Sequence, residues 1–384
     1  MTNDGKKMLF FSPASELGGA ERSLIDLIKG LERIGIRAHV VLPRDGPLRN
    51  KLIEQTQASI DCIKMPHALA KVSRRISLAV MSYLCMALLQ LPLYIWRLRR
   101  LVRIYRPDFA HSNGIKMHIL LPWLVKGANC ESIIHLRDFV TENWTIRWLI
   151  AYSCRQASQV WANSKAVSNH FVSKGIKVHV IPNVVDVRKF SVAPIPAGGK
   201  YRLGCFGMLT PWKGQVIFLK LLKELQKVNS QFHGWIVGGE IYDTSGQRGY
   251  EKRLREFADQ LGLGEKVSFK GFQRNVESLM RECQFVIHTS LKPEPFGRVI
   301  IEAMASGRIV IAAKAGGPEE IITHMENGCL VPAGYVDAYV GCIEELLAHP
   351  ELKEKITSNA RKTVLEHYTL DALCQKLEAV LMES

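Results

Sequence analysis

Short runs rich in β-branched and aromatic residues alternate with longer helical patterns along almost the whole chain, and this alternation limits the fold more than any other feature. Strands are expected at 8–12, 38–43, 61–65, 107–112, 131–136, 159–164 and 178–183, then at 201–206, 233–239, 266–272, 284–290, 308–313 and 329–332. Strands separated by helical stretches form parallel sheets covered on both faces, so the class is α/β. With 384 residues the chain exceeds what one core usually serves, and two domains follow. The stretch SVAPIPAGGK (191–200) carries two prolines and two glycines and interrupts every periodic pattern. We therefore expect domains over 1–190 and 200–369, with a last helix, 370–384, returning to the first domain. Doubly wound sheets of this kind bind ligands beyond the carboxyl ends of their strands, so a cleft between the halves should hold the chemistry.

Charge divides the same two halves. Residues 1–200 contain 29 Lys and Arg against 13 Asp and Glu, a net +16, whereas residues 201–384 carry a net −1. A basic half points to an anionic partner, either nucleic acid or an acidic lipid surface. The segment 76–96, ISLAVMSYLCMALLQLPLYIW, is uncharged and lies between Arg74, Arg75 and Arg97, Arg99, Arg100, Arg103. An apolar stretch between arginine clusters fits a membrane surface and not nucleic acid. Its length would reach across a bilayer core, but the strands on either side of it belong to one sheet. A helix lying in the interface over 74–103 is the preferred reading, and an ordinary sheet-covering helix is the other.

The nine cysteines are scattered, with no CxxC pair and no His/Cys cluster at zinc spacing. They read as core residues in a reducing compartment. No apolar leader precedes Ser12, and the expected location is cytoplasmic, at the cytosolic face of a membrane.

The strongest chemical signal is SLKPEPFGRVIIEAMASG (290–307). A strand ends, a proline-bearing loop follows, and an apolar helix begins near Gly297. The unpaired backbone N–H groups and dipole of a helix start make an anion site suited to a diphosphate. Glu294 and Glu302 flank Pro-Phe-Gly at a spacing that resembles family 4 of the retaining glycosyltransferases. Phe296, Gly297, Ala303, Met304, Ala305 and Gly307 extend the match, as do GGPEEII (316–322) and ENGCLV (326–331). Also similar to that family are Lys213-Gly214 in GMLTPWKGQ (207–215), Gly18-Gly19-Ala20-Glu21-Arg22, PDFAHSNG (107–114), HLRD (135–138), WANSKAVSNHF (161–171) and IPNVVDVRKF (181–190). The resemblance covers about residues 8–335.

That resemblance implies a GT-B fold of two Rossmann-like domains facing across a cleft, and a nucleotide diphosphate sugar as donor. It also implies transfer with retention of anomeric configuration; the sequence has no DxD motif for a diphosphate-bridging cation, so no metal or other cofactor is expected, and the basic apolar segment suggests a lipid-linked or polysaccharide acceptor. Glu294 would contact hydroxyls of the transferred sugar and Glu302 the ribose. The backbone from Phe296 through Gly297 and Arg298 to Val299 would meet sugar and phosphates, Lys213 would neutralise the leaving diphosphate, and Gly18 and Gly19 would approach it. His111 takes the first histidine position of the family's Pro-Asp-x-x-His-x-His, and His118, His135, Arg137 and Asp138 are acceptor-side candidates. Two departures stand out. Met208 replaces an expected arginine, for which Arg298 is the candidate substitute, and Asn113 replaces the second histidine. These departures keep open a nucleotide-sugar-binding protein without transfer activity, and the rival enzyme reading is a GT-B epimerase of a nucleotide sugar.

Overall fold

The computed structural model describes residues 5–66, 69, 78–139, 143–172, 175–194, 201–240 and 249–382. The chain forms two compact units, residues 1–183 with 370–384, and residues 184–369.

In the first unit the chain runs β1 (Lys7–Phe11), α1 (Gly19–Arg33), β2 (Arg37–Leu42), α2 (Pro47–Gln55), β3 (Ser59–Cys62), α3 (Leu78–Tyr105), β4 (Phe109–Ser112) and α4 (Ile115–Val125). It continues through β5 (Glu131–Leu136), α5 (Trp144–Gln156), β6 (Gln159–Ala162), α6 (Lys165–Val172) and β7 (His179–Val180). These strands form a parallel sheet in the order β3-β2-β1-β4-β5-β6-β7. Central strands read as continuous apolar runs because helices cover both of their faces; Met8, Leu9 and Phe10 are fully buried.

The second unit runs β8 (Tyr201–Phe206), α7 (Gln215–Val228), β9 (Phe232–Val237), α8 (Tyr250–Gln260), β10 (Val267–Gly271), α9 (Val276–Arg281), β11 (Phe285–His288) and α10 (Arg298–Ala305). After these come β12 (Ile309–Ala313), α11 (Pro318–Ile321), β13 (Cys329–Val331), α12 (Val336–Ala348) and α13 (Pro350–His367). Its parallel sheet has the order β10-β9-β8-β11-β12-β13. Both units are Rossmann-like, and the class is α/β as expected.

Two edge strands depart from the sequence reading. β3 pairs from Ser59, two residues before the expected start, because His39 on β2 bonds Ser59 Oγ (2.6 Å) and Asp61 Oδ2 (3.0 Å) and so fixes the register by polar contacts. β7 is reduced to two residues, since Pro182 has no N–H with which to continue the ladder.

Segment 184–194 belongs to the second unit. Val185 N–H donates to Tyr368 O (2.9 Å), and Arg361 donates to the carbonyls of Phe190 (3.1 Å) and Val187 (3.4 Å). Buried Arg308 donates to the carbonyls of Ala193, Ser306 and Cys283. Part of the expected linker, 195–200, lies outside the described residues. The last helix, α14 (Leu370–Met382), packs on α1 in the first unit. Gly30 lets Leu373 and Leu377 approach, Arg33 pairs with Asp371 (2.6 Å), and Cys374 Sγ donates to Gly30 O.

Residues 74–77 of the basic apolar segment lie outside the described residues; from Leu78 on, the segment is α3. Tyr94, Leu98 and Val102 of this helix enter the core over the sheet. The strands that precede and follow it lie in one sheet, and no helix among the described residues is long and apolar enough to cross a membrane.

Candidate functional site

In each sheet the strand order reverses direction once, between β1 and β4 and between β8 and β11. Loops leaving the carboxyl ends of the two strands at such a switch point diverge and leave a crevice. Gly18 and Gly19 follow β1, Asn113 follows β4, Lys213 follows β8, and Glu294, Phe296 and Gly297 follow β11, whereas His111 lies on β4, His118 on α4, His135 on β5, Arg137 and Asp138 after β5, and Arg298, Val299 and Glu302 within α10.

In the second unit the loop after β8 closes with a 3-10 turn, Pro211–Lys213, and Gly214 then opens α7. Gly214 has φ +70, and a Cβ there would stand 2.0 Å from Thr289 O. Only glycine permits this approach. Thr289 Oγ1 donates to Lys213 O (2.9 Å) and Leu291 N–H to Trp212 O (2.8 Å), which locks the loops after β8 and β11 together. The Glu294 backbone is pinned in turn, with its N–H to Ala315 O (3.0 Å) and its carbonyl receiving Gly317 N–H (2.8 Å). Gly317 lies against the Phe296 backbone, where a Cβ would come within 2.5 Å of the Phe296 carbonyl oxygen.

These backbone locks bring Lys213 Nζ onto Glu294 Oε2. The same oxygen meets His288 Nε2 (3.3 Å) and accepts from Ser290 Oγ (3.2 Å), while Ser290 and His288 are themselves 3.1 Å apart. Lys213 Nζ also stands 4.4 Å from the Trp212 ring centroid, a cation–π contact. Burial alone would raise the Glu294 carboxyl. The Lys213 charge and the His288 contact overcome that and hold it well below the usual carboxylate range. Glu294 is therefore an ionised, firmly oriented hydrogen-bond acceptor.

The remaining donor-side candidates divide between core and surface. Phe296 is buried against Tyr368 and offers only its backbone. Gly297, at φ +97, is the N-cap of α10; its carbonyl accepts from Ile300 N–H (2.9 Å), and the helix start presents the positive end of its dipole. Val299 is half-buried. Arg298 is directed along α10 to Glu302, with 3.5 Å between Nε and Oε1. Met208 contributes its carbonyl, which accepts from Gln215 Nε2 (2.9 Å).

In the first unit Gly18 is the N-cap of α1 and its N–H donates to Glu21 Oε2 (3.0 Å); Gly19 begins the helix. The loops after β1 and β4 touch, since a Cβ on Gly114 would lie 2.7 Å from Pro13 Cγ. His111, His118 and His135 are buried. Ser112 Oγ and His118 Nδ1 are 2.8 Å apart. His135 Nδ1 receives Arg137 Nη2 (3.3 Å), so neutral His135 carries its proton on Nε2 and accepts from His111 Nε2 (3.2 Å). Asn113 Oδ1 accepts from Arg137 Nε (2.8 Å) and Asn183 Oδ1 from Nη1 (3.1 Å). The amide at the expected second histidine position is thus engaged in holding a guanidinium. Asp138 is exposed at the end of β5. Burial first, and then the Arg137 charge, holds His118 down at about 3 and His111 and His135 well below the ordinary imidazole value.

Sequence reasoning passed over His288, Ser290 and Trp212. The polar HTS at the end of an otherwise apolar strand was the available signal for the first two. Among the described residues no three His, Cys, Asp or Glu side chains gather at metal-ligand spacing.

Residues 17–189 match the family model described as Glycosyltransferase Family 4, and residues 188–363 match Glycosyl transferases group 1. The lipopolysaccharide core biosynthesis glycosyltransferase LpsD of Rhizobium meliloti is 23% identical over 364 residues, covering 93% of this chain and 92% of that protein. The lipopolysaccharide core biosynthesis mannosyltransferase LpcC of Rhizobium leguminosarum is 27% identical over 52% of this chain and 58% of its own length. Among solved structures, Anabaena HepE in complex with UDP-glucose superposes with a TM-score of 0.83 at 28% identity, covering 98% of this chain and all of that one.

Proposed function

The chain belongs to the glycosyltransferases, joining a family 4 amino-terminal domain to a group 1 carboxy-terminal domain in the GT-B class, and on that premise we propose the finer chemistry of its transfer. A hexose leaves a nucleoside diphosphate with retention of configuration and without a metal ion. The acceptor is a lipid-linked saccharide, lipopolysaccharide or polysaccharide precursor at the cytosolic face of a membrane. The observation that carries this reading is the meeting of Lys213 and Glu294 at the switch point of the second sheet.

Lys213 supplies the positive charge a departing diphosphate needs, and the N–H groups at the start of α10 add to it. Arg298 lies beside Glu302, 3.5 Å from Nε to Oε1, and Met208 brings no charge, so Lys213 carries the larger share of this load. Glu294 Oε2 already accepts from several donors, which lowers its nucleophilicity and suits it to gripping sugar hydroxyls. A covalent glycosyl-enzyme route would need a free carboxylate beneath the sugar. The acceptor hydroxyl is instead expected to attack on the face from which the diphosphate departs: the new C–O bond forms as the anomeric C–O bond breaks, and the leaving phosphate oxygen takes the hydroxyl proton.

LpcC is a lipopolysaccharide core mannosyltransferase and HepE binds UDP-glucose, which guides the choice of acceptors and donors to test. A thermal-shift screen of UDP, GDP and ADP and their sugars, run with and without chelator, tests donor binding, since a ligand of the folded state raises its melting temperature. Product analysis by NMR then reads the anomeric configuration. Transfer that stops in chelator, or an inverted product, overturns the corresponding part of the proposal.

A further inference from the structure

Helices α3, α4 and α5 pack side by side in one layer over the first sheet, and none of them contains an Asp or Glu anywhere along its length. Their inward residues, such as Leu98, Leu121 and Ile150, satisfy the core. Several outward residues are large and apolar as well. On α3, Leu89 is 84% exposed, and Leu93 and Trp96 follow it on the same stripe at 53% and 54%. On α5, Trp144 is 77% exposed, with Trp148 and Tyr152 one turn apart after it and stacked at 5.8 Å. Trp123 at the end of α4 is also exposed, so four of the chain's seven tryptophans face outward from these three helices. Cations lie among them: Arg97, Arg100 and Arg103 on α3, Arg147 and Arg155 on α5, all exposed. Arg99 Nη2 donates to Lys126 O (2.7 Å) and ties α3 to the end of α4.

We propose that the outward face of α3, α4 and α5 is one continuous patch that docks on an anionic lipid surface, with Trp144, Trp148 and Tyr152 of α5 entering the headgroup layer as a second anchor beside α3. This rests on the membrane-surface reading above and extends it to helices that the charge pattern of 74–103 did not include. Amphipathic aromatic rings favour the headgroup level, and exposed arginines without neighbouring carboxylates on their own helices gain from negative lipid. A second copy of this chain fits the face poorly, because two such surfaces would bring cations against cations.

The test is co-sedimentation of the full chain with vesicles of phosphatidylcholine alone or mixed with phosphatidylglycerol, comparing the wild type with Trp144→Ser/Trp148→Ser and with Leu89→Ser/Leu93→Ser. The wild type should bind the anionic vesicles, and each double variant should lose affinity by about tenfold or more, while the donor-induced thermal shift is retained and shows that the variants fold. Brominated lipid should quench the wild-type tryptophan emission and quench the α5 variant less. If the α5 variant binds as tightly as the wild type and only the α3 variant is weakened, the α5 anchor is overturned and the membrane reading stands. If the wild type ignores anionic vesicles, both fall. If the wild type is a dimer that the α5 substitutions convert to a monomer, and it does not bind vesicles, the face is a self-interface and the proposal is overturned.

Discussion

The ammonium of Lys213 lies against the carboxylate of Glu294, although 81 residues separate them in the chain. Both side chains are largely shielded from water, at 19% and 11% exposure, so removing either leaves the other without its partner in a poorly hydrated place. On the proposed reading, a diphosphate bound here would compete with Glu294 for Lys213 and leave a carboxylate oxygen available to the sugar.

Lys213→Ala should therefore lower turnover by roughly 10²–10³ and abolish the donor-induced thermal shift. It should also cost about 3 kcal/mol of stability by stranding a buried carboxylate. Glu294→Ala should lose the shift with nucleotide sugars more than with the bare nucleotide diphosphate. In urea unfolding the double variant Lys213→Ala/Glu294→Ala should be destabilised by less than the sum of the two single variants. Additive losses would show that the pair is not coupled.

Acid should act on the first unit through its histidines. His111, His118 and His135 are held neutral when folded, by burial and then by the Arg137 charge, with His118 at about 3. The unfolded chain takes up protons near the ordinary value of about 6.5. Stability is then complete above that pH and is lost as pH falls below it, by about 4 kcal/mol per pH unit when three sites are involved. Urea midpoints at pH 7.5, 6.5 and 5.5 measure the slope, and His118→Gln should reduce it by roughly one third. A flat profile over this range would contradict the assignment.

What could be read from the sequence follows from which interactions are local. Strands such as those read at 8–12 and 308–313 show as largely apolar runs because both faces of a central parallel strand are buried. β3 does not, because SIDC at the sheet edge is placed by His39 on its neighbour. Lys213 and Glu294 stood out through the motifs around them, whereas the direct meeting of their side chains depends on the folded loops. His288 and Ser290 serve the same carboxylate through bonds that exist only once the β11 loop is folded back on itself. The engagement of Arg298 with Glu302 along one helix turn was open to an i, i+4 reading.

Asn113 gives a prediction of its own, because its side chain holds Arg137 together with Asn183. If Arg137 meets the acceptor, Asn113→Ala should raise the acceptor KM by about tenfold and leave the donor thermal shift unchanged, since one hydrogen bond to a charged group contributes about 1.5 kcal/mol or more. Asn113→Asp keeps an acceptor for the guanidinium and should retain most of the affinity. A loss of kcat with unchanged acceptor KM would place Arg137 elsewhere in the reaction.

Two glycines to alanine should move the protein in opposite directions. At Gly341, on the exposed side of α12, an added methyl meets nothing within 4 Å, and alanine in a helix interior stabilises by about 0.5–1 kcal/mol. At Gly214 the backbone is left-handed and the methyl would fall 2.0 Å from the Thr289 carbonyl oxygen. The loop bearing Lys213 must then withdraw from the loop bearing Glu294, at a cost of about 1–2 kcal/mol for the conformation and more for the clash. Gly214→Ala should accordingly lower the melting temperature and erase the donor-induced shift, while Gly341→Ala raises the first and keeps the second. If Gly214→Ala still binds donor as the wild type does, the close seating of these loops is not what sets the diphosphate site.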